Sequence, residues 1–79
     1  MPEKIVAYIL INAEVGREND IVGEIIDKFS NAVTEARTTY GDFDVVVRLE
    51  VSSMRALDGI VSGIRKIPGV VRTVTLIAS

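Results

Sequence analysis

Few side chains in this sequence are able to do chemistry, and their types limit what that chemistry could be. The 79 residues include no histidine and no cysteine. That removes Ser-His-Asp and Cys-His nucleophile pairs, disulfides, Cys/His zinc sites and an imidazole proton shuttle. Carboxylates, lysine, arginine and hydroxyls remain. Two close pairings stand out, Asp42 with Asp44 and Glu14 with Arg17. An acid/base enzyme needs two groups tuned apart in one pocket, and neither pair comes with an obvious nucleophile. Thr73 and Thr75 sit two apart in a strand-like segment and so present two hydroxyls to one face. Ordinary β-propensity would place threonines there as well. The expectation is a binding or assembly module without metal or cofactor, with a small enzyme as the alternative.

Charge and hydropathy narrow the class further. Nine basic against eleven acidic residues give a net charge of −2, with no basic block. The attraction that supplies most non-specific nucleic-acid affinity is therefore missing, and no direct DNA or RNA binding by this chain is expected. The longest apolar run, Ile5 to Ile11, has seven residues, against the roughly 20 that a membrane span needs. Met1-Pro2-Glu3-Lys4 has neither the basic start nor the long apolar stretch of a secretion signal. We expect one soluble, cytoplasmic domain over residues 1–79, close to the size at which a single core only just suffices.

The elements that must position these residues follow from periodicity. Ile5 to Ile11 is β-branched and apolar on both alternating faces, which predicts a central strand. Asn12 to Asn19 carries loop signals around Gly16, with Asn19 or Asp20 placed to cap a helix whose stripe is Ile21, Val22, Ile25, Ile26 and Phe29. Val33 to Tyr40 mixes threonines with Glu35 and Arg37 and suits an edge strand. Gly41 to Asp44 turns the chain into a strand in which Val45, Val47, Leu49 and Val51 alternate with Val46, Arg48 and Glu50. Ser52 or Ser53 caps a second helix with the stripe Met54, Leu57, Ile60, Val61, Ile64 and Ile67, stopped by Pro68-Gly69. Gly59 and Gly63 in that helix are either merely tolerated or mark a close neighbour. Val70 to Ala78 is the last strand. The order βαββαβ predicts an α+β, ferredoxin-like sandwich: a four-stranded antiparallel sheet in the order 4-1-3-2 with two helices on one face.

Two helices can cover only one face of such a sheet. The first strand nevertheless puts Val6, Tyr8 and Leu10 on the other. An apolar second face on so small a domain predicts a homodimer formed sheet to sheet.

At this point the residues carry a family resemblance. Gly41-Asp42-Phe43-Asp44-Val45-Val46-Val47-Arg48-Leu49-Glu50-Val51, then Met54, Leu57 and Ile60, then Ile67-Pro68-Gly69-Val70-Val71-Arg72-Thr73-Val74-Thr75, resembles the C-terminal effector-binding (RAM) domain of the Lrp/AsnC, or feast/famine, transcription regulators. Gly16 and Val33-Thr34-Glu35-Ala36 fit the same layout. The family's full-length members begin with a helix-turn-helix, which these residues lack, so the chain looks like a stand-alone effector domain. The resemblance implies sheet-to-sheet dimers, octamer-like rings of dimers, and amino acids bound between dimers. Full-length regulators sharing its surface are then possible partners. An ACT-like amino-acid sensor module shares the βαββαβ order, and Gly16 after the first strand keeps that alternative open.

The resemblance places effector binding on Tyr40, Gly41, Asp42 and Asp44, with Phe43 packing behind them, and on the paired threonines Thr73 and Thr75. An amino acid offers a carboxylate and an ammonium in fixed relation. A glycine turn exposes N–H groups for the first, and Asp42 or Asp44 can accept from the second. Aspartate and glycine are also ordinary turn formers, so both roles stand for these residues.

Overall fold

Apolar alternation, interrupted at each turn by glycine or short polar segments, divides the chain into six elements. A computed structural model describes residues 4–78. They are β1 (Ile5–Ala13), α1 (Glu18–Lys28), β2 (Val33–Thr38), β3 (Val45–Val51), α2 (Met54–Arg65) and β4 (Val70–Ile77). The strands form one antiparallel sheet in the order β2-β3-β1-β4. This is the ferredoxin-like arrangement expected from the sequence, with the two most apolar strands in the middle.

The core lies between the sheet and the helices. Ala7, Ile9 and Ile11 of β1 and Val45, Val47, Leu49 and Val51 of β3 are buried against Ile21 and Ile25 of α1 and Leu57 and Ile64 of α2. Strict alternation in β3 is what a strand covered on one face produces. Phe29, at the end of α1, closes the layer against α2. A Cβ at Gly63 would stand 2.7 Å from its Cζ, whereas nothing lies within 4 Å of one at Gly59. The glycine pair thus divides, one position marking close packing and the other tolerance.

Of the boundaries that differ from the sequence reading, three have a tertiary cause, while α1, α2 and β4 also end one or two residues short, at Lys28, Arg65 and Ile77. β1 continues past Ile11 because Asn12 and Ala13 pair with Arg72 and Val70 across a bulge, and ladder hydrogen bonds do not require apolar side chains. α1 begins one residue before Asn19. Its N-cap is Arg17, with no side-chain cap. Arg17 is fixed by Gly69, which has a φ of +98° and on which a Cβ would stand only 2.9 Å from the Arg17 Cβ, and by the Glu14 N–H donated to the Gly69 carbonyl at 2.8 Å. β2 ends at Thr38, because Thr39 already turns back to bond Asp44. The second cap is as expected: Ser53 Oγ accepts from Ala56 N at 3.1 Å.

The sheet's other face carries Val6, Tyr8 and Leu10 in a row, flanked in register by Val46 and Arg48 of β3 and by Val74 and Leu76 of β4. Tyr8 is 36% exposed and Leu76 50%. No helix among the described residues is long and apolar enough to cross a membrane.

Candidate functional site

The segment joining β2 to β3 is held by backbone bonds on both sides. Thr39 N donates to the Asp44 carbonyl at 2.9 Å, Thr39 Oγ1 donates to the Phe43 carbonyl at 2.8 Å, and Asp44 N donates to the Ile11 carbonyl at 2.8 Å. Two further bonds pin it to the end of β1. Ala13 N donates to Asp44 Oδ2 at 2.7 Å, and Asn12 Nδ2 donates to the Asp42 carbonyl at 2.8 Å. Gly41 sits at the tip with φ +121°, in open space, a conformation that costs other residues about 1–3 kcal/mol. Phe43 is half-buried, and the Arg72 guanidinium lies 5.8 Å from its ring centroid.

Packing of α1 beside β2 brings the start of that helix up to this turn. Between them opens a cleft of about 420 Å³ lined by Glu18, Asn19, Thr38, Thr39, Tyr40, Gly41 and Asp44. Tyr40 is fully exposed at its rim. The first backbone bond to close α1 runs from Ile21 N to the Arg17 carbonyl at 3.0 Å. With no side-chain cap, the N–H groups of Glu18, Asn19 and Asp20 have no partner among the described residues, while that of Arg17 donates to the Glu14 carbonyl at 3.0 Å. The cleft therefore combines unsatisfied donors at the positive end of a helix, a glycine turn, two threonine hydroxyls and two carboxylates. Such a set can bind a small molecule that carries both an anionic and a cationic group.

Of the residues singled out in the sequence, Tyr40, Gly41 and Asp44 line this cleft. Asp42 does not, and it meets the rest of the molecule through its carbonyl. One oxygen of Asp44 already serves Ala13, so its structural role is real and only part of the carboxylate remains for a ligand. Thr73 and Thr75 pair with Ile11 and Ile9 on the helix-covered face of β4. They lie at the sheet edge opposite β2 and do not border the cleft. Within one chain the turn and the paired threonines are separate. Glu18, Asn19, Thr38 and Thr39 are site residues that the sequence does not point to. The sequence signal at Glu18 and Asn19 is a helix start, and only the packing of α1 against β2 turns that into a cleft wall.

A smaller hollow of about 180 Å³ lies on the open sheet face, lined by Tyr8, Glu35, Arg37, Thr39, Val46 and Arg48. Its charges are paired within the chain. Arg48 Nη1 reaches Glu50 Oε2 at 2.9 Å and Thr34 Oγ1 at 2.8 Å, and Arg37 pairs with Glu35. Hydrogen bonding to Glu50, and after it to Tyr8, holds the Arg48 guanidinium above its ordinary pKa. Among the described residues no group of three or more acidic side chains is placed to hold a metal ion.

The molecule is thus a one-sided α+β sandwich with a polar cleft beside the turn that joins β2 to β3. The family model for the Lrp/AsnC ligand binding domain matches residues 6–79, and the chain belongs to that family. The match decides for the Lrp/AsnC type over the ACT-like alternative. Among solved structures, FFRP-DM1 is 30% identical with a TM-score of 0.86, the alignment covering 95% of this chain and 99% of that one. TTHA0845 from Thermus thermophilus is also 30% identical, with a TM-score of 0.87 and coverage of 95% and 92%. The transcriptional regulator NMB0573 from Neisseria meningitidis, solved as an L-Met complex, shares the fold at 14% identity and a TM-score of 0.80, over 95% of this chain and 49% of that one. No curated protein sequence matches.

Proposed function

We propose that this chain is an amino-acid-binding, oligomerising regulatory domain that acts in the cytoplasm through protein partners and catalyses nothing. The effector sits in the cleft between the 39–44 turn and the first turn of α1. Its carboxylate faces the uncapped N–H groups of α1, and its ammonium faces Asp44 or Glu18. The observation that carries this reading is the juxtaposition itself: unpaired donors, a glycine at positive φ and carboxylates around one concave space in a family of ligand-binding domains. The L-Met complex of the Neisseria regulator supports the ligand class.

Two copies pair through the sheet face bearing Val6, Tyr8 and Leu10, which no helix among the described residues covers. Dimers then close on one another over the wide cleft, where Tyr40 projects into solvent, and Thr73 and Thr75 reach a ligand only from another copy. Full-length Lrp/AsnC regulators are the fitting partners for the same surfaces. With a net charge of −2 and no basic helix, the chain binds no duplex DNA by itself.

The test joins a thermal-shift panel of the twenty amino acids to a native mass measurement, because a ligand that binds only the folded state raises apparent stability by mass action. One or a few amino acids should raise the transition, on a particle of at least two chains. A folded single chain at micromolar concentration would overturn the assembly. A panel with no response at millimolar ligand would overturn effector binding.

A further inference from the structure

The open sheet face fixes how two copies meet on it, on the reading above that they pair there at all. Strand register sorts its side chains into rows. Glu35, Arg48, Tyr8 and Leu76 run from β2 to β4, and the next row is Arg37, Val46, Leu10 and Val74. The β1 and β4 half of both rows is uncharged. Charge lies on the β2 side, where Glu35 and Arg37 pair with each other yet keep side chains 50% and 75% exposed, so each has room for a second partner.

A closed pair of identical copies is isologous, each residue meeting the image of another across a two-fold axis. An axis that crosses the strands at Ile9 lays each row on the other. Tyr8 then meets Leu10 of the second copy, Leu76 meets Val74, and Glu35 meets Arg37, each contact made twice. Moving the axis to the row of Tyr8 sets Glu35 on Glu35 and Arg48 on Arg48, and moving it to the row of Leu10 sets Arg37 on Arg37. Further shifts set Leu10 against Lys4 or Asn12. An axis along the strands lays Leu76 and Val74 over Glu35 and Arg37, which desolvates that ion pair without a new partner, or leaves β2 uncovered. Facing sheets turn by about 30°, an offset that the long Glu and Arg side chains span at the edge strand. We propose that two copies pair with corresponding strands antiparallel about an axis at Ile9, and that reciprocal Glu35–Arg37 ion pairs between the copies select this arrangement.

Charge reversal tests this, read as the dimer dissociation constant from sedimentation equilibrium and as dimer composition from native mass spectrometry. Glu35→Arg and Arg37→Glu each turn two attractive contacts into repulsive ones and should weaken self-association at least about fourfold, with every exposed pair taken at its weakest. The repulsion each creates within its own chain is present with or without the second copy and cancels from the constant. The double variant Glu35→Arg/Arg37→Glu restores both contacts and should return to the native value. Mixed together, the two single variants should form the heterodimer well above the statistical half. Asp27→Arg mixed with Arg55→Glu makes the same charge changes at exposed positions on the helices and should stay at half. Single variants that pair like the native chain, a double variant as weak as the singles, or a mixture no richer in heterodimer than the helix control overturns this arrangement. Leu10→Glu reports face pairing separately: dissociation by it beside unmoved charge variants removes only the arrangement, whereas a native protein that is a single chain at micromolar concentration removes face pairing itself.

Discussion

Asp44→Ala separates the two roles of the turn carboxylate. In the native chain Asp44 Oδ2 accepts from Ala13 N at 2.7 Å, joining residues 31 apart in sequence and closing the end of β1 against the turn. A hydrogen bond to a charged acceptor is worth about 1.5–3 kcal/mol. Asp44 and Ala13 are both half-buried, so water recovers part of that when the side chain is removed. The expected loss is at the lower end, about 1.5–2 kcal/mol. For a domain of this size that lowers the thermal midpoint by roughly 6–16 °C. Asp44→Asn keeps an acceptor without its charge and should lose about half as much. Asp42→Ala is the control, since only its backbone carbonyl is bonded, and it should stay within about 0.5 kcal/mol. Urea unfolding followed by circular dichroism measures all three, at one fixed protein concentration because assembly contributes to apparent stability. Should Asp42→Ala cost as much as Asp44→Ala, or Asp44→Ala cost nothing, the turn is not held by this carboxylate.

Three other outcomes are expected. Gly59→Ala gains about 1 kcal/mol of helix propensity in open space. Gly63→Ala gains the same and then forces the Phe29 ring aside, a cost of about 1–3 kcal/mol; equal stabilisation of the two in urea melts would refute the close packing of α1 on α2. Gly41→Ala has room for its methyl and suffers only from φ, so it should cost about 1–3 kcal/mol and weaken effector binding by reshaping the turn; unchanged calorimetry and stability would count against it. Leu10→Glu puts a charge between Val46 and Val74 on the open face and should cost several kcal/mol of association. Light scattering should then give a single chain that keeps its circular dichroism spectrum, and an intact oligomer would place the contact elsewhere.

How much of this was legible beforehand depended on whether a residue's role is local. Val45, Val47, Leu49 and Val51 announce a strand covered on one face, and all four are buried. Ser53 caps α2 as its position predicts, because a cap needs only the next three residues. Arg17 shows the opposite case. Cap preferences favour Asn19, yet the helix starts where Gly69 and Glu14 hold Arg17, and the Gly69 contact spans most of the chain in a way that no local rule contains. Asn12 and Ala13 carry loop signals and become strand because β4 arrives beside them. Asp44 was visible as a turn residue, but its bond to Ala13 was not.

The candidate site follows the same division. Gly41 and Asp44 stood out because a turn needs them and a ligand could use them. Glu18 and Asn19 oppose them only after α1 has packed on β2, so their part in the cleft is a property of the fold. Thr39 shows what that packing adds. Its hydroxyl holds the Phe43 carbonyl, and the residue borders both the cleft and the hollow on the open sheet face. A ligand seated against Thr38–Gly41 and a second copy seated against Tyr8 and Arg48 would therefore press on opposite sides of one strand end. Thr39 is common to the two surfaces, and its side chain is fixed by its own bond to the Phe43 carbonyl.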